Sequence, residues 1–378
     1  MIQIINKCNH RNGLFRTRRM VKMTENGFDE VLEKLEKERS ISLEELRYIL
    51  KDMNTSEEEQ LMQRARKVSE EVFGRNVYLR GLIEFTNYCK NDCYYCGIRC
   101  SNKKAERYRL SEEDILSCCE TGYNLGFKTF VLQGGEDPYY TDDKICDIVS
   151  KIKSRYPDCA VTLSIGEKSY ESYKRYFEAG ADRYLLRHET ANEEHYSKLH
   201  PASLSGANRK QCLRNLKEIG FQVGCGIMVG TPFQTVEHIY EDICFMKELQ
   251  PHMIGIGPFI PHKDTPFGNE PGGSAEETIR LLSILRLIFP KVLLPATTAL
   301  GTADSKGREK GILAGANVIM PNLSPVNVRG KYLLYDGKIC TGEEAAECNN
   351  CMKMRMKSIG YEVCDVRGDH PDFVNKLK

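Results

Sequence analysis

Short apolar runs alternate with helical segments along most of the chain. Eight such runs, each of seven to nine residues, lie at residues 77–85, 128–135, 160–166, 183–189, 222–230, 253–260, 292–300 and 316–322. Runs that are apolar on both faces indicate strands of a parallel sheet that is covered on both sides. The segments between them, such as residues 111–126 and 235–250, carry apolar residues at helical spacing. Eight strand–helix units predict a closed (β/α)8 TIM barrel rather than an open sheet.

The pattern also predicts what flanks the barrel. Residues 27–75 have helical periodicity, and Ser42 with Glu45 forms a capping box at the start of one helix. We therefore expect four parts. They are a basic, disordered extension over residues 1–26, an N-terminal helical segment over 27–75, the barrel over 76–325 and a C-terminal cysteine-bearing segment over 326–378.

Composition excludes several classes of partner. The 54 Lys and Arg residues nearly balance 53 Asp and Glu residues over 378 positions, so the net charge of +1 gives no support for a nucleic-acid partner. No apolar run approaches the roughly 18 residues that a membrane span needs. The first residues lack the apolar core of a secretory signal, so we expect a cytoplasmic protein. The basic N-terminus leaves import into an organelle open.

The 16 cysteines point to a functional site, because clustered cysteines in a reducing compartment indicate metal or redox chemistry rather than disulfides. Cys89, Cys93 and Cys96 are spaced C-x3-C-x2-C, and Cys100 follows closely. One interpretation is a structural zinc with all four thiolates, although zinc sites usually pair two separated knuckles. The other is a 4Fe–4S cluster held by three thiolates, which leaves one iron open for a substrate.

The triad lies at the end of the first predicted strand, with Tyr95 just before its last cysteine, and it resembles the signature of radical S-adenosylmethionine (SAM) enzymes. The resemblance implies that Cys89, Cys93 and Cys96 hold a 4Fe–4S cluster whose remaining iron binds SAM, and that Cys100 is not a ligand. It also implies catalysis by reductive cleavage of SAM to methionine and a 5′-deoxyadenosyl radical. The cofactors carry such chemistry while the protein binds and orients them.

The resemblance extends to residues expected to bind SAM. Gly134 and Gly135, after the second predicted strand, resemble a glycine-rich element of the family, where glycine lets a backbone carbonyl approach an ammonium group. Glu189 resembles an acid that contacts SAM, and Arg209 resembles an arginine that pairs with its carboxylate. A plain turn and a solvated helix residue are the ordinary alternatives for the glycines and Arg209. The other positions expected to bind SAM are Tyr95, Gln133, Ser164 and Tyr332.

Longer stretches, including "TNYCKNDCYYCGIR", "LLRHETAN", "PATTALGT" and "GANVIMPNLSP", are similar to the HydE-type maturases of iron–iron hydrogenases, from about residue 27 onward. The resemblance implies a role in assembling the hydrogenase H-cluster. It implies a cysteine-bound iron with carbon monoxide and cyanide as the substrate, and an electron donor, a tyrosine-cleaving radical enzyme and a GTPase scaffold as partners. The positions expected to contact this substrate are Thr162, Arg187, Met228, Thr297, Thr298 and Met320.

A second cysteine set, Cys340, Cys348 and Cys351, is spaced C-x7-C-x2-C. The resemblance implies an auxiliary 2Fe–2S or 4Fe–4S cluster there, and three incidental thiols are the alternative. Three other functions stay open: methylornithine synthase, a biotin synthase-like enzyme and a non-enzymatic iron–sulfur carrier. A carrier would need accessible thiolates but neither Glu189 nor Arg209.

Overall fold

The computed structural model describes residues 25–342 and 345–374, and of residues 25, 26, 345–348 and 374 it describes the backbone alone. The predicted extension over residues 1–26 lies almost wholly outside this range. Within the described part of the chain, no helix is both long and apolar enough to cross a membrane. The helices are α1 (Glu25–Glu38), α2 (Leu43–Lys51), α3 (Thr55–Phe73), α4 (Glu112–Asn124), α5 (Asp142–Arg155), α6 (Tyr170–Glu178), α7 (Glu193–Leu199), α8 (Gly206–Ile219), α9 (Val236–Leu249), α10 (Ala275–Ile288), α11 (Thr298–Ala303), α12 (Gly307–Leu313), α13 (Val326–Arg329), α14 (Ala345–Ser358) and α15 (Pro371–Val374).

A closed parallel barrel forms the centre of the fold, as the eight strand–helix units predict. The strands are β1 (Asn76–Leu79), β2 (Gly81–Thr86), β3 (Thr129–Gly134), β4 (Ala160–Ser164), β5 (Arg183–Leu185), β6 (Gln222–Cys225), β7 (Met228–Val229), β8 (Met253–Ile254), β9 (Gly257–Pro258), β10 (Val318–Ile319) and β11 (Glu362–Cys364). Six of them pair in the order β2-β3-β4-β5-β6-β8. Parallel bridges from Met253 to Leu293, from Pro295 to Val318 and from Leu82 to Asn322 complete the ring.

Several predicted strands are interrupted where the backbone must bend. The run 222–230 divides into β6 and β7 around Gly226, whose φ is +154° and whose Cβ, if present, would lie 1.9 Å from the Gly255 carbonyl oxygen. The prediction of a strand over 292–300 is wrong, because this stretch makes only isolated bridges and α11 begins at Thr298. The Thr297 hydroxyl caps that helix by accepting a hydrogen bond from the Leu300 N–H.

The N-terminal helices cover one side of the barrel. α1 and α3 pack against α10, and α2 packs against α9. The predicted capping box is confirmed, since the Ser42 hydroxyl accepts from the Glu45 N–H and the Glu45 carboxylate accepts from the Ser42 N–H. The apolar face of α2 buries Leu46 and Ile49, which is the usual source of stability for a short amphipathic helix.

Residues 362–370, near the end of the C-terminal segment, cover the end of the barrel opposite the cysteine loop. β11 joins β1 in parallel register, and the residues after it place Asp369 beneath the barrel. The buried Asp369 carboxylate is 2.6 Å from the Arg183 guanidinium and also accepts hydrogen bonds from Gln222 and Arg367. Burial alone would raise the pKa of Asp369, but Arg183 and the other donors lower it below its ordinary value.

We expect Asp369→Asn to lower the free energy of unfolding by about 3–5 kcal/mol, because breaking a buried ion pair leaves the Arg183 charge uncompensated. Asp158→Asn is the matched control: its pair with Lys128 is half-exposed on the carboxylate side, and we expect a loss below about 1 kcal/mol. Urea unfolding at pH 7 measures both. The Asp369 contribution should fade below about pH 4, where the unfolded carboxyl binds protons that the folded one does not. Equal losses for the two variants would contradict this account.

Candidate active site

The cysteine loop follows β2 and is held together by hydrogen bonds rather than by regular secondary structure. The Arg107 guanidinium donates to the carbonyl oxygens of Ile98, at 2.8 Å, and Arg99, at 2.6 Å. The Asn87 side chain donates to the Glu106 and Lys331 carbonyl oxygens. A planar guanidinium with several fixed donors suits this task, because it satisfies carbonyl groups that an irregular loop would otherwise leave unpaired.

The loop brings three thiols to one cavity and leaves the fourth outside. Cys89, Cys93 and Cys96 are half-buried and line a cavity of about 340 Å³, whereas Cys100 is exposed and is not among its lining residues. The cavity opens at the carboxyl ends of the strands, where barrel enzymes have their active sites. The other predicted site residues that line it are Tyr95, Gln133, Gly134, Gly135, Ser164, Arg187, Glu189, Arg209, Met228, Thr297, Thr298, Met320 and Tyr332.

Thr162 is the one predicted residue of the barrel site that does not line this cavity. It lies two residues before Ser164 on β4, so both side chains share a face but Thr162 sits one layer deeper. It borders a separate cavity of water size, about 10 Å³, beside Arg80 and Arg183. The prediction that Thr162 contacts a substrate in the main chamber therefore does not fit its position.

Gly134, the last residue of β3, and Gly135, the next residue, allow close packing next to the cysteines. A Cβ on Gly135 would lie 2.2 Å from the Tyr88 carbonyl oxygen and 2.7 Å from Cys89 Cβ. A Cβ on Gly134 would lie 2.8 Å from a methyl group of Thr86. Since real Cβ atoms do not approach other atoms so closely, any other residue would push the β3 loop away from the cysteine loop.

Glu189 reaches the cavity through an unusual backbone. β5 ends at Leu185, and Glu189 has φ of +64°, in the left-handed region that residues with a Cβ rarely adopt. Arg187 and Glu189 both line the cavity because of this turn, not because of strand alternation. Such strain costs on the order of 1–3 kcal/mol and is concentrated at functional sites.

Glu189 also keeps a carboxylate oxygen available. Its Oε1 is 3.1 Å from the Arg187 guanidinium, while its buried Oε2 has no hydrogen-bond partner among the described residues. A buried carboxylate oxygen without a donor is costly. An electropositive or hydrogen-bond-donating ligand in the cavity would satisfy it.

Arg209 is buried at the start of α8 and does not match the alternative of a solvated helix residue. Its Nε lies 2.5 Å from Glu167 Oε1, and its Nη1 donates to the Arg187 carbonyl oxygen at 3.4 Å. Burial lowers the pKa of Arg209, but Tyr196 and Glu167 raise it by more, so the pKa lies above its ordinary value. Arg209 is therefore a fixed positive charge on the cavity wall.

Tyr95 is held by a histidine. Its hydroxyl lies 3.1 Å from Nε2 of His200, and the His200 ring stacks on Tyr196 with centroids 4.0 Å apart. Burial lowers the pKa of His200 to about 3 and raises that of Tyr95 well above its ordinary value, so both are neutral near pH 7. A neutral pair keeps this side of the cysteine loop rigid without adding charge.

The two predicted threonines line the chamber, and each hydroxyl oxygen accepts a hydrogen bond from the protein. Thr297 accepts from the Leu300 N–H, and the buried Arg308 guanidinium donates to the Thr298 hydroxyl oxygen at 3.1 Å. Because amide and guanidinium groups can only donate, each hydroxyl oxygen acts as acceptor toward the protein and retains its own proton. Met228 and Met320 add apolar, polarizable wall.

Sequence reasoning missed a buried ion pair in the cavity wall. Lys338 Nζ lies 2.6 Å from Glu84 Oε1 and donates to the Tyr332 carbonyl oxygen at 2.9 Å, and all three residues line the cavity. The Gln133 amide donates to the Tyr332 hydroxyl at 3.4 Å. In the sequence, only the charged Glu84 within an apolar strand could have indicated this ion pair, because its partner Lys338 lies 254 residues away.

The donor set fits an iron–sulfur cluster. Burial raises the pKa of Cys96 to about 12 and raises that of Cys93 well above its ordinary value, so thiolates are unfavourable until a metal replaces the protons. Within residues 25–342 and 345–374, no three His, Cys, Asp or Glu side chains converge on a single ion. Each cysteine of a 4Fe–4S cluster binds a different iron, so its ligands need to face a common cavity instead.

The second cysteine set is only partly described. Cys340 lies 3.7 Å from Nη1 of Arg308 and has φ of +62°, and Cys351 is exposed on α14. The side chain of Cys348 lies outside the described residues. The auxiliary cluster therefore stays a prediction.

Comparison with known proteins gives a consistent result. Residues 83–246 match the model of the Radical SAM superfamily. The chain is 45% identical over 331 residues to the FeFe hydrogenase maturase subunit HydE of Thermotoga maritima, covering 88% of this chain and 94% of that protein. It is 33% identical to 3-methylornithine synthase of Methanosarcina acetivorans, over 79% of this chain and 84% of that protein. The crystal structure of methylornithine synthase PylB superimposes with a TM-score of 0.77 at 28% identity, covering 88% of this chain and 97% of that one.

Proposed function

This chain belongs to the radical SAM superfamily and is a radical SAM enzyme, and we propose on that premise that it acts as a HydE-type maturase in assembly of the iron–iron hydrogenase H-cluster. The observation that carries the proposal is its high identity to a HydE protein along nearly the whole length of both chains. The wall residues of the chamber support it, since they offer separate groups for a cofactor and for an anionic substrate.

The cofactor side of the chamber consists of the three thiols and a charged wall. Cys89, Cys93 and Cys96 would hold the 4Fe–4S cluster, Glu189 would contact SAM, and Arg209 would pair with the carboxylate of SAM. When bound, these cofactors supply one-electron cleavage of SAM and a carbon-centred radical. The protein contributes orientation, because the wall residues that would bind these cofactors are fixed by burial and ion pairs. Tyr95, Gln133, Gly134, Gly135, Ser164 and Tyr332 complete this side.

Other wall residues of the same chamber would bind the substrate. Arg187 would pair with a carboxylate or cyanide of a cysteine-bound iron that carries carbon monoxide and cyanide. The hydroxyl protons of Thr297 and Thr298 would donate to its acceptor groups, and Met228 and Met320 would contact its apolar parts. The Arg308 and Leu300 donors support this assignment, because each occupies a lone pair of a hydroxyl oxygen and leaves the hydroxyl proton for another acceptor.

We extend the proposal to a second iron–sulfur site at Cys340, Cys348 and Cys351, and to the partners that such a maturase would need. Those partners are a tyrosine-cleaving radical SAM enzyme, a GTPase scaffold and an electron donor. The Arg308 guanidinium near Cys340 supports the second site, because a positive charge favours the thiolate form that binds metal.

Methylornithine synthase is the second candidate, because a relative with that activity is one-third identical over most of the chain. Incubation with SAM, dithionite and lysine separates the two functions. We expect 5′-deoxyadenosine to form without any methylornithine, detected by mass spectrometry. Stoichiometric methylornithine would contradict the maturase proposal and favour the alternative.

A further inference from the structure

A buried aspartate on α9 contacts the chain on both sides of Glu189. Residues 187–191, which we name the Glu189 turn, follow β5 and contain the left-handed residue. Asp242 Oδ1 accepts a hydrogen bond from the Ala191 N–H at 2.5 Å and lies 3.3 Å from Nε2 of His188. One carboxylate oxygen therefore contacts the turn one residue before Glu189 and two residues after it.

The His188 ring is fixed from its other side by the barrel. The Gly226 N–H donates to His188 Nδ1 at 3.4 Å, and the Gly226 carbonyl oxygen accepts from the Glu189 N–H at 3.1 Å. Because a backbone amide can only donate, Nδ1 is the acceptor, and the ring proton on Nε2 faces Asp242. The ring also packs edge-on against Phe245 of α9, with centroids 5.0 Å apart. The Glu189 turn is therefore held between the bend after β6 and helix α9.

Burial of this polar pair opposes folding. His188 and Asp242 are both fully buried, and Asp242 Oδ2 has no hydrogen-bond partner in the described part of the chain. Two apolar side chains of similar size would fill the same space at a lower cost in desolvation. They would leave the Ala191 N–H without its acceptor, and the left-handed φ of +64° at Glu189 persists only where surrounding contacts fix it. The turn that the pair holds thus accounts for the buried charge.

We infer that Asp242 is a positioning residue, which fixes the Glu189 turn so that the Glu189 carboxylate meets the cofactor. The inference rests on the proposed function, in which Glu189 contacts SAM. Asp242 is not one of the described residues that line the chamber, whereas Glu189 lines it with an unpartnered Oε2. Asp242 therefore acts on SAM only through the turn. Hydrogen bonds weaken steeply with distance and angle, so a rotation of this backbone would break the contact between Glu189 and SAM.

The test compares a double variant with a conservative one. Asp242→Leu combined with His188→Phe replaces the polar pair by apolar side chains of similar size, a change that is often neutral for stability. Asp242→Asn keeps an Oδ1 acceptor for the Ala191 N–H and for His188. Leu249→Ala is the stability control, because Leu249 is buried on α9 about 10 Å beyond Asp242 along the helix axis. Thermal unfolding, iron content and circular dichroism verify all three.

The first measurement needs no SAM and uses the iron-loaded protein. Hydrogen exchange followed by mass spectrometry should show the amides of residues 189–191 exchanging about tenfold or more faster in the double variant than in the unsubstituted protein. Asp242→Asn and Leu249→Ala should exchange there at nearly the original rate. Exchange in the double variant that matches the unsubstituted protein would overturn the positioning role.

The second measurement is SAM binding by equilibrium dialysis on preparations with full iron content. Kd should rise about tenfold or more in the double variant and less than about twofold in Asp242→Asn and Leu249→Ala. A purely structural role would lower the melting temperature and leave Kd unchanged, and that result, or an equal rise in either control, would overturn the inference. No SAM binding by the unsubstituted protein would refute the proposed function, while the exchange comparison would still decide the role of Asp242.

Discussion

Replacing any one of Cys89, Cys93 and Cys96 by alanine is expected to lower SAM cleavage by more than about 100-fold, because loss of even an outer partner of a metal site costs 10–100-fold. The three thiols line one cavity. After one of them is replaced, the two that remain would leave a second iron of the cluster without a protein ligand. Anaerobic incubation with dithionite and SAM, followed by quantification of 5′-deoxyadenosine and of bound iron, measures the effect.

Cys100→Ala is the matched control. Cys100 lies in the same loop but is exposed and outside the cavity, so we expect nearly full iron content and cleavage. Loss of the cluster in this variant would contradict the three-ligand assignment and restore the interpretation of a four-cysteine site.

Substitutions at Glu189 and Arg187 are expected to distinguish binding of the cofactor from binding of the substrate. Glu189→Gln should weaken SAM binding by about 10-fold or more, because a hydrogen bond to a charged group contributes about 1.5–3 kcal/mol. Arg187→Lys keeps the positive charge beside Glu189 but loses the planar guanidinium, which can bind an anion through two hydrogen bonds. It should leave uncoupled SAM cleavage intact and lower hydrogenase maturation by about tenfold.

Both activities should be measured on one Arg187→Lys preparation that contains its full complement of iron. Equal loss of the two activities would place Arg187 in the SAM site. Full maturation activity would show that Arg187 serves only as the ion-pair partner of Glu189.

The barrel could be predicted from the sequence because its signal is repeated. Eight apolar runs separated by helices leave few alternative folds, and a single misplaced element does not change the result. The wrong strand over 292–300 shows the limit. Apolar residues continue through Ala296, but the Thr297 hydroxyl caps a helix, and hydrophobicity alone does not distinguish a buried strand from the start of a buried helix.

Most of the chamber was predicted because many of its wall residues end a predicted strand or follow one closely, whereas Arg209, on α8, was predicted only from the family resemblance. The exceptions have physical reasons. Thr162 shares a face with Ser164, and the depth of a residue in a barrel depends on strand tilt and stagger, which a linear pattern does not contain. The Glu84–Lys338 pair joins distant parts of the chain, so neither residue indicates the other.

The most direct test of the central claim is a cell-free assembly assay. Hydrogenase polypeptide, the tyrosine-cleaving radical enzyme and the GTPase scaffold are combined with SAM and a reductant, with and without this protein. We predict that hydrogen evolution appears only when the protein is present and is absent with Cys93→Ala. Hydrogen evolution that is equally high without it, or absent with a preparation that cleaves SAM, would contradict its assignment as a hydrogenase maturase.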